Sequence, residues 1–345
     1  MSAKLAAARA TLIDQAHTPA LGDEFAEVVM GAVRGIVPFD GYCLLGLDPF
    51  SGLRSFNFSR NGLDGVADRL AYNENIEVDV NRYADLAAAD LPVGLLSAAG
   101  PATPRSPRLH EILRPAGFTS ELRLALSSEG HLWGALVLFR GDRRRPFTEA
   151  DAALTLDLVQ PLRAAARRYP VRSTASIGDP LPPGVVLLDG NNTIISMAAE
   201  ARAWLEEVRA GGLDEVEFED VLRVVYDVGL AAQPDRDLVT APLCRVRTTG
   251  GRWLVVQGAR VDDGRAAVAV VLQPAAPLQV LPAAAAWFGL TRRETDVLRL
   301  VVGGLPAKQM ARRLELSVLT INDHLRAAYR KAAVSGREEL LARLS

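Results

Sequence analysis

The sequence predicts an α+β chain: two antiparallel-sheet domains, over residues 1–168 and 169–275, followed by an all-α helix-turn-helix over 286–345. Three observations lead there. Short runs with period-two alternation recur in two separate groups, each bounded by turn residues. The C-terminal stretch instead shows helical periodicity with its own caps and turn signals. A length of 345 residues with 49% hydrophobic and 23% charged side chains suits two or three globular domains with ample core.

Residues 3–37 read as two helices, the second carrying Phe25, Val29, Val33 and Ile36 on one face. The pattern then changes to a strand over 39–48, a turn over 49–52 and a partner strand over 53–58. Residues 63–91 are expected to be partly helical, and 92–107, rich in Pro, Ala, Ser and Gly, to be a loop. Leu122, Leu124 and Leu126 alternate into a turn at Ser128, Glu129 and Gly130, and 132–140 completes a hairpin. Thr148 and Asp151 then form a capping pair, opening one helix that directs Leu154, Leu158, Leu162 and Ala165 inward as far as Arg168.

Residues 169–184 hold four prolines among small residues and read as a linker. A hairpin over 185–195 follows, turning at 189–192. One helix carries Ala198, Ala201, Trp204, Leu205 and Val208, and the next Phe218, Val221, Leu222 and Val225. Three strands are expected over 243–247, 252–260 and 267–272, with turns at 249–251 and 262–264. Residues 274–282 read as a short connector.

The last stretch specifies its own local structure. Thr291 and Glu294 form a capping box, Val297, Leu298 and Val301 line one helical face, and Gly303-Gly304 ends that helix. Pro306 is expected as the first residue of a second helix, with Ala307, Met310, Ala311 and Leu314 on its apolar face. After a turn at Glu315-Leu316, Ser317 caps a third helix. At ~100° per residue, Val318, Ile321, Leu325 and Ala328 point inward. Thr320, Asp323, Ala327 and Arg330 then point outward, with Asn322, His324, Arg326 and Lys331 on the shoulders. Such a helix can enter a major groove with its N-terminal half on base edges.

Charge follows the same division. Residues 286–345 hold 11 Lys+Arg against 6 Asp+Glu, a net of +5, so a chain total of −2 leaves −7 for residues 1–285. That asymmetry suits a nucleic-acid module attached to domains that do not bind it. No apolar run approaches the ~18 residues of a spanning helix. Residues 1–15 carry Arg9 and Asp14 inside their apolar part, unlike a secretory signal. The expectation is a cytoplasmic protein without a membrane partner. Cys43 and Cys244 are isolated, and His17, His110, His131 and His324 do not cluster, so neither a metal nor a cofactor is expected. Phosphate-cradling G-x-x-x-x-G-K-[ST], nucleophilic G-x-S-x-G and metal-binding H-E-x-x-H patterns do not occur. The adjacent acids Glu219-Asp220 and Asp262-Asp263 are expected to be solvated. An enzyme is not expected.

Residues 290–344 resemble the DNA-binding domain of LuxR/FixJ-type transcription regulators. The motif L-T-x-R-E stands as Leu290, Thr291, Arg293 and Glu294, followed by Gly304, Leu305 and Lys308. T-[VI]-x-x-H stands as Thr320, Ile321 and His324, then Lys331 and a final Arg337, Glu339 and Leu340. The resemblance implies DNA contacts from Lys308, Thr320, Asn322, Asp323, Arg326 and Lys331; the helical geometry adds Arg330 as a phosphate contact and His324 as a phosphate-contacting or packing residue. Asn322 departs from the Lys or Arg usual in the family. Asp323 brings a carboxylate toward phosphates, which implies an unusual operator or modest affinity.

Upstream, Trp133-Gly134-Ala135-Leu136-Val137-Leu138 followed by Pro146-Phe147-Thr148 and Asp151 is similar to the last strands and helix of GAF domains. Gly184-Val185-Val186-Leu187-Leu188-Asp189 with Ala199 and Arg202 resembles the opening of a PAS domain. These resemblances imply sensor domains, GAF-like and PAS-like. Tyr42, Phe56, Phe58, Tyr72 and Trp133 are the ligand-pocket candidates, each with core packing as its alternative. The function implied is a one-component transcription regulator, bacterial by its architecture, modulated by a small-molecule ligand or other signal. Its expected partner is double-stranded DNA with a palindromic operator, with RNA polymerase added for an activator. It would act as a homodimer, with Leu340, Leu341 and Leu344 as contact candidates. A signalling adaptor that does not bind DNA, and a sensor carrying haem or flavin, stand as alternatives.

Overall fold

The computed structural model describes residues 3–61, 63, 65–98, 105–172, 181–209, 215–233, 242–261 and 267–345, without the side chains of 215–217. Its first sheet contains β1 (Gly41–Leu47), β2 (Arg54–Arg60), β3 (Val93–Ser97), β4 (Phe118–Ser128) and β5 (His131–Gly141) in the order β2-β1-β5-β4-β3. The second contains β6 (Gly184–Leu188), β7 (Ile194–Met197), β8 (Leu243–Arg247), β9 (Trp253–Arg260) and β10 (Val268–Pro274) in the order β7-β6-β10-β9-β8. All described pairings are antiparallel, and the two strand orders are equivalent.

Period-two alternation in β4 explains the layers of the first domain. Leu122, Leu124 and Leu126 share a core with α1 (Ala3–His17) and α2 (Gly22–Arg34), including Phe25, Val29 and Val33. The intervening Glu121 and Arg123 point the other way and are also buried. That second face is covered by α3 (Ala67–Asn75), α4 (Tyr83–Ala88) and a short π-helix over Arg108–Leu113. Both faces being covered, β1 and the centre of β5 are apolar at successive positions.

Two expectations for this domain are corrected. The expected loop at 92–107 contains β3, a short edge strand pairing Val93 with Leu124 and Leu95 with Leu122. Residues 99–104 of it lie outside the described part. The single helix expected after Thr148 is two, α5 (Glu149–Leu156) and α6 (Val159–Arg168). Pro161 has no N–H to give the carbonyl of Asp157, and its ring collides with that carbonyl in a continuous helix. The break turns Leu154 outward, 38% exposed, while Leu158, Leu162 and Ala165 remain buried. The Thr148–Asp151 capping box forms as read.

In the second domain, α7 (Ala199–Val208) and α8 (Glu215–Ala232) cover one face of the sheet, with Trp204, Leu205, Val225 and Val228 against Val186, Val256 and Val270. Gly184 is required where α7 crosses β6, because a Cβ there would lie 2.2 Å from the backbone nitrogen of Ala201. Asp220 is not solvated. It is buried between Arg209 and Arg223 at 3.3 and 3.2 Å. Asp262 and Asp263, with the turn expected there, lie outside the described residues, as do 173–180 of the expected linker.

The two sheet domains are joined by buried ion pairs. Asp48 accepts from Arg245 Nη1 at 2.8 Å, and Arg54 faces Asp227 at 3.3 Å. Neither pair joins neighbours in sequence. The expected connector at 274–282 is largely helix: α9 runs from Pro277 to Phe288. Pro277 needs no N–H partner in the first turn, Gln279 Oε1 accepts from Ala276 N at 2.9 Å, and Gly289 ends the helix at φ +68°.

Candidate nucleic-acid interface

Four further helices form the head: α10 (Arg292–Val302), α11 (Ala307–Leu314), α12 (Val318–Ala332) and α13 (Arg337–Leu344). Thr291 Oγ1 accepts from Glu294 N at 3.2 Å, and Glu294 Oε2 accepts from Thr291 N at 2.7 Å. That carboxylate also accepts from Lys331 Nζ at 2.7 and 3.0 Å, joining the start of α10 to the end of α12. Burial alone would raise the pKa of Glu294. The Lys331 and Thr291 contacts outweigh it and hold the carboxyl below its ordinary value.

Gly304 supplies the left-handed turn, at φ +89°, whereas Gly303 is right-handed. Pro306 lies one position earlier than expected, as the N-cap of α11 in extended conformation. The tight turn before α12 uses Glu315 at φ +56°, and Ser317 Oγ then accepts from Thr320 N at 3.0 Å. Val297, Leu298, Val301, Met310, Ala311, Ile321, Ala328 and Ala332 are buried together, the trihelical core expected.

The expected inward stripe of α12 needs one correction. Val318 is 39% exposed, and the buried stripe is Ile321, Ala328 and Ala332 with Leu325 half-buried. Val318, in the first turn of α12, lies outside the buried cluster of the head. Beside it Leu319 is 68% exposed. Leu319, Asp323, Arg326 and Arg330 recur at i, i+4, i+7 and i+11, so they share one face. Sequence reading passed over Leu319, although this spacing identifies it.

Around that face Lys308, Asp323, Arg326 and Arg330 are exposed, and Thr320, Asn322 and His324 are partly so. Asp323 Oδ1 lies 3.4 Å from Arg326 Nη1 in a solvent-exposed pair one turn apart. Lys331 is set apart from the others by its bond to Glu294.

The head is docked on the second sheet. Alternation in β9 sends Leu254 and Val256 to α7 and α8, and Trp253 and Val255 to the opposite face. Trp253 stacks on Trp287 of α9, while its Nε1 donates to Arg343 O at 2.9 Å and its backbone N to Ser345 O at 3.1 Å. Leu340 and Leu344 are buried in this same core, and Leu341 is half-buried. Two of the three residues proposed for a head-to-head contact therefore face their own chain.

The five pocket candidates do not converge. Phe56 and Phe58 pack with Phe25 and Tyr169, and Tyr42 with Phe39. Tyr72 is exposed on α3. Trp133 is buried on the side facing the head, its Nε1 donating to Ser128 Oγ at 2.9 Å. The cavities beside Tyr42 and beside Phe56 and Phe58 measure about 20 and 30 Å³, room for a water or two. On the α3 side, Arg108, Glu121, Arg123 and Glu74 fill the interior with ion pairs at 2.6 to 3.1 Å. Burial would raise the pKa of Glu121, but Arg108 and Arg123 hold it low.

Among the described residues, no group of three or more His, Cys, Asp or Glu could hold a metal ion. Nor is any helix long and apolar enough to cross a membrane.

The geometry at the C-terminus is that of a helix-turn-helix with an exposed, capped third helix, the class of module that reads duplex DNA. Residues 289–344 match the luxR family of bacterial regulatory proteins (GerE). The chain thus carries the DNA-binding domain of a transcription regulator behind two antiparallel five-stranded sheets. No curated protein matches it.

Proposed function

We propose that the chain is a one-component transcription regulator, in which two sensor or relay domains, GAF-like over 1–168 and PAS-like over 169–275, control the DNA-binding head at 286–345. The observation that carries this reading is the exposed face of α12 on a luxR-family head, combined with the anchorage of that head on β9 through Trp253 and Trp287. A signal that moves the second sheet would move the head with it.

In this reading Asn322, Asp323 and Arg326 approach base edges, with Thr320 and His324 beside them, and Lys308 and Arg330 reach phosphates. Lys331 contributes through its hold on Glu294 as well as through its charge. A homodimer, joined partly through the exposed side of Leu341, would read a palindromic operator. The reading places the protein in the cytoplasm, with RNA polymerase as a further partner if it activates. The test is a fluorescence-anisotropy titration of the full chain, using DNA from upstream of its own gene and a scrambled duplex at two salt concentrations. Sequence-preferring, salt-dependent binding is expected. Absence of binding to either duplex overturns the reading.

A further inference from the structure

The largest of the three cavities described, about 470 Å³, lies where the first domain meets the end of α9. That volume is in the range of small-molecule sites, unlike the two cavities inside the sensor region. Its apolar wall includes Ile13, Ala164 and Phe288, and its polar wall carries Arg163, Arg167 and Arg168 from consecutive turns of α6. Glu129 adds one carboxylate, so the charged lining is net positive.

Arg167 is the member tied to the head. Its Nη2 donates to Ala286 O at 2.7 Å and its Nε to Trp287 O at 3.0 Å, binding carbonyls at the end of α9. The guanidinium also sits 4.4 Å from the Trp133 ring centroid and 3.7 Å from Glu129. Arg163 donates to Ser127 O at 2.9 Å, which fixes it at the groove wall. Burial lowers the pKa of Arg167; Glu129 opposes the shift, and Arg168 and Arg163 reinforce it. An anion between the three guanidiniums would relieve their mutual repulsion, and an apolar body would cover Ile13, which is 46% exposed.

We infer that this groove binds a small organic anion with an apolar body, and that the bound anion competes with the carbonyls of α9 for Arg167, loosening the head from the first domain. Charge-assisted bonds to an anion are stronger than bonds to neutral carbonyls, which gives the exchange its direction. Any effect on DNA binding rests on the regulator reading above, whereas occupancy of the groove does not.

The test is isothermal titration of the full chain with 4-phenylbutyrate, octanoate and phenyl phosphate, with 4-phenylbutyramide as the neutral counterpart. At least one anion should bind, and the amide about tenfold more weakly than its acid. Arg163→Gln, which removes a cation, and Ala164→Phe, which fills the groove, should each weaken binding about tenfold without changing the circular-dichroism spectrum. Hydrogen exchange over 277–288 should rise when the anion is bound. Failure of all three anions to bind, equal binding of the amide, or indifference to both substitutions overturns the site. Binding without faster exchange overturns the competition for Arg167. Duplex binding measured without any anion distinguishes failure of the groove from failure of the regulator reading.

Discussion

Trp253 and Trp287 stack with ring centroids 5.3 Å apart and planes 15° from parallel, linking β9 to the helix that leads into the head. Trp253→Ala removes this contact and the bond to Arg343 O, at an expected cost of about 3–5 kcal/mol. Trp253→Phe keeps an aromatic face but leaves that carbonyl without this donor, at about 1 kcal/mol. Hydrogen exchange followed by mass spectrometry should show faster exchange over 277–344 in both variants, with 3–61 little changed. Equal acceleration in the two regions would mean that the stack holds the whole chain and not the head in particular.

Glu294 makes head stability depend on acid. Its folded pKa lies below its ordinary value of 4.5, so its contribution is fully present above that value and is lost as pH falls through the folded one. Glu294→Gln should flatten the acid limb of a melting-temperature profile below pH 4.5. At pH 7 it should cost on the order of 1–3 kcal/mol, since Lys331 loses its charged partner. A variant whose acid limb matches the wild type would show that other carboxylates govern it.

On the exposed face of α12, Asp323→Ala removes a carboxylate and frees Arg326 from its 3.4 Å pair. Affinity for random duplex should rise two- to five-fold, about 0.5–1 kcal/mol, as expected for an exposed charge. Anisotropy at two salt concentrations reads this directly, and an unchanged affinity would mean that Asp323 does not face DNA.

Leu340 and Leu341 should separate folding from assembly. Leu340 is 1% exposed, so Leu340→Ala should destabilise the head by about 2–5 kcal/mol. Leu341→Arg alters a half-buried position and should lower operator affinity and sedimentation-derived dimer content more than the melting temperature. If melting falls in step with affinity, Leu341 belongs to the core.

Gly184→Ala places a Cβ against the backbone of α7, where no rotamer change can relieve the overlap. A loss of about 1–3 kcal/mol in a urea titration is expected. A neutral result would show that α7 can shift freely away from β6.

Much of the head was legible because its signals are local. Thr291, Gly304 and Ser317 act within four residues of themselves and do what their chemistry predicts, and Glu294 does so in its capping box, while its bond to Lys331 is a tertiary addition. The strands with clear alternation, such as β4, were equally plain. The edge strand β3 was not, because Val93–Ser97 becomes a strand only by pairing with β4. The break at Asp157 was written in Pro161, but the capping box and apolar spacing around it suggested continuity. Leu319 was missed because an exposed leucine gives no periodic signal of burial. Four of the pocket candidates were aromatic residues on expected strands and Tyr72 lay in a stretch expected to be partly helical, and aromatic residues serve packing equally well.

The sequence by itself determined most of the element types, the capped helix-turn-helix with its luxR-family resemblance, and the segregation of positive charge into the head. These follow from interactions between neighbours in the chain. Tertiary structure alone decided that Asp48 meets Arg245, that Trp253 receives Trp287, and that Arg167 holds the end of α9. It also decided that Leu340 and Leu344 are spent on their own chain. Each depends on which face of an element another element covers, and contacts between residues far apart in the chain leave no period or spacing in the sequence.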